Sequence, residues 1–540
     1  MGRPVAQFPS KSKLEEVAAR SAKPKSTLKT TSVDQWPIRV SVPEAGASYP
    51  SENRWDELVV AAARTTGARP STALRCAAQE MARFYVEHGA YPDDSLRTFL
   101  TTRCGATVPS AEIQVVFGDF PAGTSQESVE SGLQASAKQL VDQRAAAGSE
   151  LGVGFALGNG RATLVGLSGK SPLRIRDFSP VVSGNAITLQ GDVSKDMAFV
   201  SGYVTQGETG VKPCEPDHGV KVPAFRLECP LSEADQQATI ELVTGKPNQL
   251  FWRVAARIAV RRDASSELAY QARAYGENQT VTEPRAFRAA FLDGLNQMRK
   301  RAGVGELQLE DAQSSTNERL APHFFENSFS GKEWLIEEIG LGLLAGWDVN
   351  GMIRSGAVFS AASQSSRNPG RFLAESLDSP FSRWVLLEPE MTRVAIGTAG
   401  LDPSGVLALV TTYSLFVDSQ NHRADEDKLF AELNKVRKAH GVTQAQHVAS
   451  DSALRTALAQ IAANAVRSDE ALNDAMRNIS GERQRGVRGY VLETSDLQHV
   501  EFPDDLVSAS THDVEIGVTH YKARGGAWGQ YAILFVMIDA

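Results

Sequence analysis

Apolar residues recur at helical and then at strand spacing, in alternating blocks along the chain. RWDELVVAAAR (54–64) and STALRCAAQEMARFYVEHG (71–89) place them three and four apart, which predicts helices. EIQVVFGDF (112–120) reads as a strand and SQESVESGLQASAKQLVDQRAAA (125–147) as a helix. GVGFALGNGRATLVGL (152–167) reads as a hairpin turning at Asn159-Gly160, a dipeptide suited to positive φ. From 171 to 265 the pattern changes to short alternating runs parted by Gly, Asp and Pro, among them AITLQGDV, AFRLECPL and ATIELV. No long helical period interrupts them, the signature of an all-β sandwich. Helix and strand alternate again over 284–418 and 427–540. Residues 1–50, rich in Lys, Ser, Pro and Ala, and 266–283 read as a disordered tail and a linker.

Self-similarity sharpens this division. LNQMRKRAGV begins at Leu295 and LNKVRKAHGV at Leu433, with six of ten positions identical. ALRCAAQEMA at Ala73 is echoed by ALRTALAQIA at Ala453. Each α/β block ends on a Gly-centred strand, at Gly152, Gly397 and Gly517, followed by one more strand. Three diverged copies of one α/β domain are therefore expected, with the sandwich between the first and second.

The 540 residues exceed what one core usually holds. Apolar content of 42% and charged content of 22% suit folded domains, and a net charge of −8 gives no case for nucleic acid. No apolar run reaches the ~20 residues that span a bilayer, and the N-terminus lacks the apolar core of a secretory signal. Four cysteines fall as two local pairs, Cys76 with Cys104 and Cys214 with Cys229, without CxxC spacing. Read as disulfides they place the chain outside the cytoplasm; read as four buried thiols they do not.

The middle block carries three motifs in order: LNQMRKRAGVGELQLEDAQ, NERLAPHFF and SPFSRWVLLEPEMTRVAIGTA. Together these resemble the CAP/SCP superfamily of cysteine-rich secretory and allergen-type domains in its bacterial form. The resemblance implies an α-β-α sandwich whose cleft often holds two histidines and two carboxylates, sometimes with a divalent metal such as zinc. His323 matches the first histidine. Ser382 stands where the second belongs, and Phe381 where the family has glycine. Glu337 and Glu338 are the nearest carboxylates in sequence. The repeat sets His323 opposite Ile461 and Met81, both core-type residues.

Among other candidates, His440, His447, His499, His512 and His520 of the last block read as scattered surface residues, and His218 as exposed. Trp334, Trp347 and Trp384 read as core. FSAASQSSRNPGRF (359–372) reads as a long polar loop. No Walker, Rossmann, GxSxG or HExxH motif is present.

The expected fold is thus multidomain α+β: three diverged CAP-like domains (51–168, 284–418, 427–540) and one Ig-like β-sandwich (171–265). The expected function is a non-catalytic, extracytoplasmic bacterial protein that binds a protein, glycan or lipid of the cell envelope, or serves there as a structural component. The alternative is a metal-dependent hydrolase acting through His323 with Glu337 or Glu338.

Overall fold

The computed structural model describes all residues except 1–7, 26–27, 44–46, 110, 122, 177, 248–251, 263–268, 331, 364–366, 402–404, 417–421, 510–512 and 540. The N-terminal stretch, expected as a loose tail, is packed in its described parts. Helix α1 (Lys11–Ala18) starts at Ser10, whose side chain accepts from the Lys13 N–H, and it buries Leu14 and Val17. Gln35–Pro37 pairs antiparallel with Ala269–Gln271, setting Trp36 opposite Tyr270. Both rings are buried in the first block's core, so tail and linker close that core together. Three apolar anchors spread over so many polar residues show no period, and for that reason the composition pointed to disorder.

In the first block, helices α2 (Arg54–Thr66), α3 (Thr72–His88), α4 (Asp94–Arg103) and α5 (Gln126–Arg144) surround a four-stranded sheet. Its order is Arg69–Pro70, Glu150–Gly158, Arg161–Gly169, Glu112–Asp119, with the first pair parallel and the others antiparallel. The hairpin turns at Asn159 and Gly160, both at positive φ. α3 lies directly on the sheet, and a Cβ at Gly152 or Gly154 would overlap its backbone. Helix α4 has no counterpart among the sequence expectations.

Two four-stranded antiparallel sheets follow. One runs Gly210–Pro213, Phe199–Gln206, Gln237–Gly245, Arg253–Arg261. The other runs Glu215–Pro216, Ala224–Pro230, Ala186–Val193, Leu173–Ile175. Their inward residues, including Leu189, Leu227, Ile240 and Ile258, form one shared core. Both cysteine pairs are disulfides, Cys76–Cys104 and Cys214–Cys229. Loops of these lengths yield about 3–4 kcal/mol each in the chain-entropy account.

The middle block holds helices α6 (Pro284–Arg301), α7 (Asp311–Ser330), α8 (Glu333–Ala345), α9 (Pro369–Asp378) and α10 (Pro380–Leu386). Its sheet runs Gln308–Leu309, Arg393–Leu401, Gly405–Leu415, Ile353–Ser363. The expected polar loop at 359–372 is mostly regular: its start completes the last of these strands, its end opens α9, and 364–366 lie outside the described residues. Alternation along Gly405–Leu415 separates the two faces. Val406, Ala408 and Val410 pack with Phe291 of α6 and Leu373 of α9, whereas Leu407 and Leu409 pack with Leu320 of α7 and Ile339 of α8.

The last block holds α11 (Arg423–Ala439), α12 (Ser452–Ala462) and α13 (Ser468–Arg483). Its sheet runs Gln446–His447, Asp513–Tyr521, Gln530–Ile538, Val487–Thr494. All three α/β sheets share this order, with a short strand parallel to its neighbour and the remaining pairs antiparallel.

The repeated residues do the same work in the last two blocks. Asn296 exchanges two hydrogen bonds with the backbone of Leu307, and Asn434 is bound to Ala445 in the same way. Arg299 donates to the carbonyls of Gly305, Leu386, Glu388 and Met391; Arg437 donates to those of Thr443, Leu506 and Ala509. Trp334, expected in the core, is 64% exposed, because it lies near the start of α8 outside the stripe that faces the sheet. Trp347 and Trp384 are half-buried.

Candidate functional site

His323 lies on α7 with only 5% of its surface exposed. Its ring sits beneath α1, within reach of the backbone of Ala18 and Arg20. Burial lowers its pKa below the ordinary value, an effect Glu326 and that backbone partly offset. Ile461 and Met81, its partners in the repeat, are also buried. Glu338 on α8 is ion-paired with Lys13 of α1, and Glu337 is half-buried beside it. Lys11 pairs with Asp348 at 2.5 Å, and the Trp347 indole donates to the Pro9 carbonyl at 3.1 Å. Leu14 and Val17 fill the space between, leaving about 10 Å³ between α1 and its neighbours, roughly one water. His323 and Glu338 therefore each face α1.

The Ser-Pro turn points elsewhere. Ser382 follows Ser379, which caps α10 and accepts from the Ser382 N–H. Ser382 belongs to the layer of α9 and α10, on the sheet face opposite α7, so it cannot join His323 in one cleft. Its hydroxyl is 2.9 Å from that of Ser379, which donates to Glu241 of the sandwich at 2.6 Å. Glu241 is fully buried, takes the Phe381 N–H at 3.0 Å, and is ion-paired with Arg257. Phe381 packs on Tyr203 and Trp252 of the sandwich. Arg383 donates to the carbonyls of Leu377, Gly207 and Gly210. The turn is a domain joint.

A tetrahedral zinc site needs three or four convergent N, O or S donors. His323 faces two backbone groups, Glu338 holds a lysine, and Ser382 lies across the sheet, so these residues do not fit the metal the family resemblance implies. Among the described residues no three His, Cys, Asp or Glu side chains cluster to hold one. In the last block His440 and His499 are exposed. His447 stacks on Phe430, and His520 packs against Phe416 and His422. His512 lies outside the described residues, and His218 is exposed.

Beside the joint lies a cavity of about 1340 Å³, bounded by α4, the sandwich, the connector at 269–275, and α9 with α10. Glu375 and Asp378 sit one turn apart on α9 and both line it. Burial raises the Glu375 pKa well above the usual range, and the charges of Asp93 and Asp378 add to this. Asp378 is raised by its enclosed position, an effect Arg273, Arg383 and Arg257 partly offset. Its carboxylate stays about half accessible because it faces the cavity itself. Arg103, Arg257 and Arg383 supply cationic lining, and Phe99, Tyr270 and Tyr275 supply aromatic surface. Such a wall offers hydrogen-bond donors, acceptors and ring faces at once, as a site for a polar ligand requires. No histidine lines it among the described residues.

Sequence reasoning missed this cavity. The Glu375/Asp378 spacing on one helical face was a usable local signal. Arg103 and Arg257 come from other blocks, more than a hundred residues away, and no pattern near the turn points to them.

No protein-family model matches the chain, and no curated protein matches it. Among solved structures, it is similar to an extracellular protein containing an SCP domain from Bacillus anthracis str. Ames. Identity is 12%, covering 45% of this chain and 67% of that one, with a TM-score of 0.20. It is also similar to a cysteine-rich secretory protein from Staphylococcus aureus subsp. aureus Mu50, at 12% identity over 44% and 84% of the two chains, with a TM-score of 0.19. Likenesses at these scores set neither fold nor function. No described helix is long and apolar enough to cross a membrane.

Proposed function

We propose that this chain is an extracytoplasmic, non-catalytic binding protein, built of three diverged CAP-type domains (51–168, 284–418, 427–540) and a β-sandwich (171–265). Its ligand site is the inter-domain cavity. The repeated sheet order and the shared roles of Asn296/Asn434 and Arg299/Arg437 support the three-copy reading. The two disulfides support an oxidising compartment.

The observation that carries the functional reading is the division of the family-type positions. His323 lies under α1 on one face of the sheet, and Ser382 is built into the sandwich joint on the other. General acid–base or metal-assisted hydrolysis needs its groups within hydrogen-bond reach of one substrate. The cavity exceeds the usual small-ligand pocket of roughly 300–1,000 Å³. A polar ligand of several units, such as a glycan fragment of the envelope, suits its charged and aromatic lining better than an acyl chain does.

Calorimetric titration of soluble envelope oligosaccharides tests this. At least one binds, and Asp378→Ala weakens it tenfold or more while removal of residues 1–20 leaves it unchanged. Binding that survives Asp378→Ala but is altered by the truncation would place the site under α1 instead.

A further inference from the structure

The cavity wall contains a buried cation without a counter-ion among the described residues. Arg103, in the last turn of α4, is only 8% exposed, and its Nε and Nη2 have no hydrogen-bond partner. Among the described residues no carboxylate is ion-paired with it, and the charge that acts on it is a second cation, Arg261, at the end of the sandwich strand Arg253–Arg261. Arg261 uses its backbone to hold Pro180 and Val182, while its own side-chain Nε is sealed away without a partner. The other arginines nearby are satisfied: Arg257 by Glu241, and Arg383 by three carbonyls.

Two neighbouring guanidiniums with unmet donors are costly inside a protein, because burial strips water from the charge and each cation repels the other. The carbonyl end of α4 offsets part of this for Arg103. It cannot meet the planar guanidinium N–H groups, whose geometry matches an oxyanion held by two parallel hydrogen bonds. Arg103 lines the same cavity as Glu375 and Asp378, so an anion bound there could be one end of a larger ligand.

We propose that Arg103 and Arg261 form an oxyanion subsite that holds the carboxylate, sulfate or phosphate group of the cavity's ligand. The position of the ligand's body rests on the cavity reading above; the anion subsite itself does not.

The test is a melting and calorimetric titration of the full chain in oxyanion-free chloride buffer at matched ionic strength, with inorganic phosphate, sulfate and galacturonate as probes. Phosphate or sulfate alone raising the melting point assigns an inorganic-type group, and galacturonate alone assigns a carboxylate. In either case the shift of several degrees at 10 mM is lost in Arg103→Met and, separately, in Arg261→Met. In oxyanion-free buffer Arg103→Met melts no lower than the parent, since it removes an unpaired buried charge. Two results overturn the subsite: no probe shifts the parent, or both variants shift as the parent does. Neutral oligosaccharides in parallel separate the two readings. If they bind while all oxyanions fail, the subsite falls and the cavity reading stands; if oxyanions bind at Arg103 while no oligosaccharide does, the reverse holds.

Discussion

Arg299 and Arg437 show what a repeated residue is for. Each carries its charge into the protein and meets a ring of backbone carbonyls near the end of its own helix. One guanidinium thus serves several carbonyl acceptors from segments outside its own helix at once. Arg299→Met is expected to cost about 3 kcal/mol, in the range for charged hydrogen bonds lost with their acceptors left buried. Urea unfolding measures it, and a loss under 1 kcal/mol would contradict this role. The pairing LNxxRK was visible in the sequence, but its purpose was not. Leu386 and Met391 are 87 and 92 residues from Arg299, and no local rule links them.

Glu375 gives a second prediction at this scale. Its pKa in the folded chain lies well above the unfolded value, so the folded state binds the extra proton. Its contribution to stability is full below the unfolded value of about 4.3 and is lost as pH rises towards the folded pKa. Glu375→Gln removes that loss. The variant is expected to melt higher than the parent at pH 7.5, by the 2–4 °C that about 1 kcal/mol yields in a domain of this size, and equally at pH 4. A lower melt at pH 7.5 would show that the carboxylate is held by a partner.

Among the elements, α1 is the one whose place changes the interpretation of the molecule. Its eight residues would not hold a helix alone. Leu14 and Val17 dock it, and Lys11 and Lys13 pair it with Asp348 and Glu338. Leu14→Ala is expected to weaken docking by about 3 kcal/mol, as for other buried leucines. Docking should also depend on pH. Because His323 is held below its ordinary pKa, α1 is bound most tightly above pH ~6.5 and loosens as pH falls through the folded pKa, where released His323 takes up a proton. Methyl NMR of Leu14 and Val17 reads this directly, and His323→Leu should flatten the response. An unchanged pH profile in that variant would assign the effect to the lysine pairs.

The long amphipathic helices and alternating strands of the three sheets were legible because period and turn chemistry agree there, as at Asn159-Gly160. α1, α4 and the pairing of Gln35–Pro37 with Ala269–Gln271 were not, because short elements draw their stability from tertiary contacts rather than pattern. The mostly regular structure at 359–372 was hidden by a run of small polar residues on the sheet's edge strand.

At the scale of the whole molecule, the joint around Glu241 ties the sandwich to the middle block. Removing one partner of a buried charge pair costs about 3–5 kcal/mol, so Glu241→Ala should do more than destabilise the sandwich. It leaves Arg257 buried without its carboxylate and frees Ser379 and the Phe381 N–H. Calorimetry is expected to show the sandwich melting separately from the middle block. A single transition merely shifted to lower temperature would mean that the joint does not couple them. No sequence pattern announced this joint. The Ser-Pro turn was recognisable, but its partner across the joint lies 138 residues away.

The central claim is that the His323 position is a sealed part of the scaffold and not a working metal or acid–base site. Elemental analysis of the purified protein, paired with melts in chelator and in added zinc, tests it most directly. The account predicts no bound metal and the same melting point in all three conditions. Near-stoichiometric metal, with a melt that falls in chelator and loses that dependence in His323→Ala, would contradict it.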